Sequence, residues 1–173
     1  MNKPMRTATA DLHMSHGHFV IRDVSADLPA PRLARANGFV GTDLVNGAVV
    51  LTGIHTGSVT VTLQLLDTAP DSVGLDDWDE VAEVSVESEY GELIVHGIME
   101  GPPDLPELAH AGPGTYRIRA HARGRDIAPH RNVREPVENY RLSVWPAPEA
   151  PDIVYKQSDE RGREYRAARK PRP

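Results

Sequence analysis

The chain has 173 residues, 39% hydrophobic and 25% charged, with a formal net charge of −6 and no cysteine. That length suits one domain around a single core, and the missing thiols exclude disulfides, cysteine nucleophiles and cysteine-based metal centres. No apolar run approaches the roughly 18 residues of a membrane span, the opening residues lack the apolar stretch of a signal peptide, and the negative charge argues against nucleic acid as a partner, so a cytoplasmic protein with no membrane partner is expected.

The dominant pattern along the chain is alternation with period two. Strands are expected over 9–14, 18–23, 48–52, 58–65, 83–87, 92–98, 115–122 and 139–145. The cleanest is 58–65, where Val59, Val61, Leu63 and Leu65 alternate with Ser58, Thr60, Thr62 and Gln64, as in a half-buried strand of an antiparallel sheet. Short reversals at His16-Gly17, Asn46-Gly47, His55-Thr56-Gly57 and Tyr90-Gly91 separate these runs. The last joins two strands so closely that they are expected to pair. A Pro-rich connection over 101–111 ends in Gly112-Pro113-Gly114 and suits neither a helix nor a central strand. No amphipathic helix of ten residues precedes position 150. The predicted fold is all-β, an antiparallel β-sandwich of about eight strands spanning residues 7–148. Beyond it, Pro146, Pro148 and Pro151 end the last strand, and Ser158-Asp159-Glu160 can cap a short helix running to Lys170. That helix has little apolar content, so 149–173 reads as a basic, flexible tail.

Charge is distributed unevenly. From Ala36 to Tyr116 there is no lysine or arginine but fourteen acidic residues, ten of them between Asp67 and Glu92. Residues 152–173 hold seven cations against four anions. Such asymmetry bears on partners and association rates rather than on fold. Uncompensated carboxylates suit a strongly basic protein partner, and Asp76, Asp77, Asp79, Glu80, Glu83, Glu87, Glu89 and Glu92 are the expected recognition residues, with Trp78 as an aromatic anchor among them. Arg117, Arg119, His121 and Arg123 line one face of a strand with Arg141 beside them. They are expected to pair across strands with Glu83, Glu87 or Glu92, because aromatics that would stack bases are missing from that face.

Catalytic signatures are sparse. There is no G-x-S-x-G, and Ser15 and His16 are strand neighbours whose side chains point to opposite faces. His13, His16 and His18 form an H-x-x-H-x-H group from which imidazoles on one strand face can share a metal; this is the alternative reading, a small metal-binding enzyme or sensor. The Asp76–Glu80 turn lacks the glycine of an EF-hand loop, and no cofactor is expected.

Several short segments occur in a familiar order. Leu12-His13-Met14-Ser15 leads into His18-Phe19-Val20; Asn46-Gly47-Ala48-Val49-Val50-Leu51 precedes His55-Thr56-Gly57-Ser58-Val59; then come Trp78-Asp79-Glu80, Val84-Ser85-Val86, Leu93-Ile94-Val95, Ile98-Met99 and Gly114-Thr115-Tyr116-Arg117-Ile118. Over about residues 10–122 this order resembles the ComJ family, small competence proteins that inhibit a DNA-entry nuclease. Actinobacterial proteins sharing the Val144–Pro148 ending, V-W-P-A-P, look similar too. The chain departs from the family in its acidic stretch, the strand at 139–145 and the basic tail. The resemblance carries no catalytic residues over. It implies an all-β, non-enzymatic inhibitor or immunity-type protein whose partner is a nuclease or toxin.

Overall fold

The computed structural model describes residues 2–168. Ten strands form two sheets. The larger contains β1 (Arg6–Met14), β5 (Gly57–Leu65), β9 (Asn139–Pro146), β8 (Gly114–Arg123), β6 (Glu80–Ser88) and β10 (Ile153–Gln157), in that spatial order. The smaller contains β3 (Val40–Thr42), β4 (Ala48–Leu51), β2 (His18–Asp23) and β7 (Leu93–Gly97). The alternating residues face one another between the sheets: Val59, Val61 and Leu63 of β5, Val84 and Val86 of β6, Ile118 of β8 and Leu142 of β9 pack with Phe19, Ile21, Val50, Leu93 and Val95. Burial of these side chains is the main force holding the layers together, at about 1.5–3 kcal/mol for each large one.

The all-β expectation holds, with two changes of topology. First, β5 pairs with β9 in parallel, so the larger sheet is mixed. Second, β6 and β7 do not pair across Tyr90-Gly91; they lie in different sheets. Asn46-Gly47 does close a hairpin, between β3 and β4. At His16-Gly17, both residues have positive φ, 59° and 74°, the geometry of a type I′ turn. Pairing there stops after the single Ser15–His18 bridge, and β2 departs into the smaller sheet. The corner is tight: a Cβ on Gly97 of β7 would lie 2.0 Å from the His13 carbonyl oxygen, so only glycine permits the crossing.

The reading of 149–173 as a flexible tail is corrected over 153–168. β10 pairs antiparallel with β6, and a helix, α1 (Glu160–Ala168), follows it. Residues 169–173, including Lys170, lie outside the described residues. Helix α1 covers the outer face of the smaller sheet, where Tyr165 joins Ala34 of a 3-10 helix (Pro31–Ala34) over Val20, Val49 and Leu51. What docks α1 is polar. Asp159 accepts the Gly162 N–H at 2.7 Å as the helix N-cap and accepts two bonds, each 2.7 Å, from the Arg125 guanidinium. Arg125 also donates to the carbonyls of Gly38 and Leu51 at 3.0 Å. A fully buried guanidinium with this many acceptors is satisfied, as buried charge must be.

Candidate protein-binding surface

The recognition residues expected from sequence do not form one patch. β6 is nine residues long, so its ends lie roughly 27 Å apart, well beyond the ~8–10 Å over which exposed charges act together in physiological salt. Asp76, Asp77, Trp78, Asp79 and Glu80 are at one end; Glu87, Glu89 and Glu92 are at the other.

At the first end most of the groups are engaged internally. Glu80 is buried and accepts the Asp159 N–H; burial and the charge of Asp159 push its pKa up to about 8. Glu83, in mid-strand, is buried between Arg117 at 2.9 Å and Arg119 at 2.8 Å, the cross-strand pairing that alternation allows. Asp79 accepts the Gly124 N–H at 3.0 Å. Trp78 is half-buried under Arg123 and Arg141, whose guanidinium carbons lie 4.9 and 5.1 Å from its ring, so it is not a free anchor. Only Asp76 and Asp77 are exposed, and Lys156 reaches the same turn through the Leu75 carbonyl. Glu80 and Glu83 are therefore corrected from recognition residues to internal ones. Glu87 and Glu92 make no bridge to the β8 arginines, because the arginine-bearing positions face Glu83 and Ser85 instead.

The other end is different. Asp23 is buried and fixes the turn, accepting Ser88 Oγ at 2.5 Å and the Tyr90 N–H at 2.8 Å. This presents Glu89, Tyr90 and Glu92 outward, Tyr90 at 53% exposure. The Asp43–Asn46 turn lies alongside, joined by the Glu87 N–H to the Leu44 carbonyl at 2.8 Å, and leaves Val45 55% exposed. Two grooves flank that turn. One, of about 210 Å³, has Asp27, Glu89 and Tyr90 in its wall; the other, of about 490 Å³, has Asp43, Glu149 and Asp152. Among the described residues no lysine or arginine lines either, although Arg117 lies beneath the second, its guanidinium committed to Ser85 and the carbonyls of Ala150 and Pro151. Burial raises the Asp152 carboxyl pKa above its usual range. Nearby Arg22 is half-buried, with its guanidinium committed to His96 Nε2 and the carbonyls of Val24 and Ala26. The result is exposed apolar and aromatic groups edged by carboxylates, the composition of a protein-recognition surface.

Sequence reasoning found Glu89 and Glu92 here but not Asp27, Asp43, Glu149 and Asp152 as parts of one surface. The cation-free run signalled Asp43. Glu149 and Asp152 belong to a segment whose net basic charge concealed them, because all its cations lie further along the sequence, from Lys156 on.

The histidines do not converge. His16 sits in the left-handed region of the turn, which breaks the alternation that would aim it with His18. It packs at a tilt against His55, ring centres 5.6 Å apart, while His18 is buried with Nδ1 3.0 Å from the His16 carbonyl and His13 approaches Glu100 at 3.9 Å. Among the described residues no group of three or more histidines and carboxylates is placed to hold a metal.

No protein-family model matches the chain, and no curated protein matches it. Solved structures do. The chain is similar in fold to ComJ. That structure, ComJ from Bacillus subtilis, an inhibitor of the DNA degrading activity of NucA, superposes with a TM-score of 0.55 over 85% of this chain and 99% of its own, at 15% identity. The protein of crocagin biosynthetic gene J gives 0.52 over 83% and 98%, at 17% identity. Likeness to ComJ at these identities is one of backbone course rather than surface residues. It agrees with the order of segments read from the sequence. Among the described residues no helix is long and apolar enough to cross a membrane.

Proposed function

We propose that this chain is a non-enzymatic protein-binding module, of the inhibitor or immunity type, that captures a basic partner such as a nuclease with the acidic surface around Asp43–Asn46. The observation that carries the reading is the pair of carboxylate-lined grooves flanking that turn, with no lysine or arginine among their described lining residues, beside the exposed Tyr90 and Val45. The fold it shares with ComJ, itself an inhibitor of a DNA-degrading activity, supports a nuclease as the partner class. Carboxylates on a rim raise the association rate with a basic protein and select against acidic ones, while a partly exposed aromatic contributes to slow dissociation.

The test uses a purified NucA-type nuclease from the same source, with DNA degradation as the readout. Equimolar protein is expected to suppress cleavage. The combined Asp27→Asn, Asp43→Asn and Glu89→Gln variant is expected to inhibit at least tenfold less well and with a flatter dependence on salt. Asp76→Asn with Asp77→Asn serves as the control and is expected to inhibit normally. Undiminished inhibition by the triple variant rejects this surface, and no inhibition by the wild-type protein rejects the nuclease reading.

A further inference from the structure

On the outer face of the larger sheet four arginines of β8 and β9 line up, Arg117, Arg119, Arg123 and Arg141, with Arg117 reaching Ser85, Ala150 and Pro151 at the edge of the larger acidic groove. Glu83 bridges Arg117 and Arg119. Arg123 and Arg141 have no carboxylate within bridging distance among the described residues and rest instead against the ring of Trp78. This face therefore carries positive charge that the protein does not neutralise. Arg141 registers the excess: burial, then the charges of Arg119 and Arg123, hold its pKa below the usual guanidinium range.

A cavity of about 180 Å³ opens among these groups. Its floor is the register row of β8, β9 and β5, with Arg119 opposite Ser143 and Ser143 opposite Gln64, and with His121 opposite Arg141 one pleat along. Its roof is the Pro70–Gly74 loop, tied down by Arg119 to the Ser72 carbonyl and by His121 Nε2, 2.7 Å from the Val73 carbonyl. The roof is close: a Cβ on Gly74, where φ is +69°, would stand 2.9 Å from the Arg141 guanidinium.

The polar groups in this cavity are under-used. Arg141 Nε and His121 Nδ1 are buried without a hydrogen-bond partner. Arg141 also presses a terminal nitrogen to 3.0 Å from His121 Nε2, the atom that already faces the Val73 carbonyl, so one proton cannot satisfy both contacts. Ser143 Oγ is bonded to Gln64 Oε1 at 3.0 Å, which turns the Gln64 amide NH2 toward other acceptors. Arg119 packs against the rings of Trp145 and Tyr155, each 5.3 Å away, and its second terminal nitrogen has no partner among the described residues. Donors outnumber acceptors, and the excess is cationic.

We infer that this cavity binds a small tetrahedral oxyanion, a phosphate, which is clasped by Arg119 and Arg141 with the Gln64 amide completing the donor set. Planar guanidiniums match phosphate oxygens in paired, charge-assisted hydrogen bonds. The cavity is large enough for one phosphoryl group and too small for a nucleotide. The ion is either free inorganic phosphate or the phosphate of a phosphorylated side chain.

The experiment titrates the full-length protein with inorganic phosphate, O-phosphoserine and acetate by calorimetry at constant ionic strength, and follows His121 by NMR. Saturable 1:1 phosphate binding is expected, with acetate at least tenfold weaker and with the His121 titration moved upward from about 4 as the anion offsets Arg141. Tighter inorganic phosphate assigns the free ion; tighter O-phosphoserine assigns a phosphorylated side chain. Arg141→Gln is expected to lose at least tenfold in affinity, and Arg123→Gln, outside the cavity, to bind within twofold of wild type. Should Arg141→Gln fail to fold, Ser143→Asp places a tethered carboxylate among the same arginines; it is expected to raise the unfolding midpoint and abolish phosphate binding. No saturable binding by wild type, equal affinity for acetate, or unchanged affinity in Ser143→Asp overturns the assignment.

Discussion

At the Glu80 end of β6, all carboxylates but Asp76 and Asp77 are engaged within the protein: Glu80 against Asp159, Asp79 on a backbone amide and, further along, Glu83 between two guanidiniums. At the Glu87 end the same residue type stands in water, with Glu89 and Glu92 exposed beside Asp27 and Asp43 and no cation lining the grooves. Density of charge in the sequence is similar on the two sides. What differs is the neighbouring chain. The first end receives the Arg123 end of β8 and the β10–α1 segment, whose polar groups meet its carboxylates; the second receives acid-bearing turns, and the arginines near it, Arg22 and Arg117, are held by backbone carbonyls and other side chains. The first end is built for stability and the second is left available.

The sharpest way to break this contrast is at the Arg125–Asp159 pair. Asp159→Asn keeps an acceptor for the α1 N-cap but leaves a fully buried guanidinium without its counter-charge, so it is expected to destabilise by about 3–5 kcal/mol in urea unfolding. A loss below about 1 kcal/mol would mean that α1 is not anchored there.

An effect of comparable size comes from Glu80 and depends on pH. Its folded-state pKa, about 8, stands above the ordinary 4.5, so the folded protein holds a proton that the unfolded chain has released. Stability from this group is complete below about pH 4.5 and declines as pH rises toward 8, with a limiting slope of about 1.4 kcal/mol per pH unit. Glu80→Gln is expected to flatten that decline. A variant as pH-sensitive as wild type over this window would refute the assignment to Glu80.

The smallest expected effect is at the other end. Glu89→Gln and Glu92→Gln, both at exposed positions, are expected to shift stability by less than about 0.5 kcal/mol in either direction. Thermal unfolding of the two variants checks this; a larger loss would show that these carboxylates are also structural and would erase the difference between the ends.

Much of the fold was legible in alternation. The expected strand at 58–65 is β5 within one residue, and those at 115–122 and 139–145 are the centres of β8 and β9. These strands bury one face in a common core, and period two is the direct imprint of that burial. β3 escaped notice because three residues, Val-Gly-Thr, are too few to show a period. β10 escaped, and α1, announced by its capping residues, was not expected to dock, because the segment is held by Arg117 to the carbonyls of Ala150 and Pro151 and by Arg125 to Asp159, contacts with no periodic trace. Of the candidate surface, Glu89 and Glu92 were legible from the acidic run, whereas Glu80 and Glu83 looked identical to them until their partners were known.

The sequence by itself determined that this is a cysteine-free, all-β protein with alternating strands and turns where glycine permits reversal, because burial period and backbone sterics act over a few residues. Only the tertiary structure decided that Tyr90-Gly91 carries the chain from one sheet to the other, that β5 meets β9 in parallel, and which carboxylates remain free. Those outcomes depend on which distant segment arrives at a given strand edge or face. Coulomb interactions and hydrogen bonds then follow that spatial neighbour rather than the order of residues along the chain.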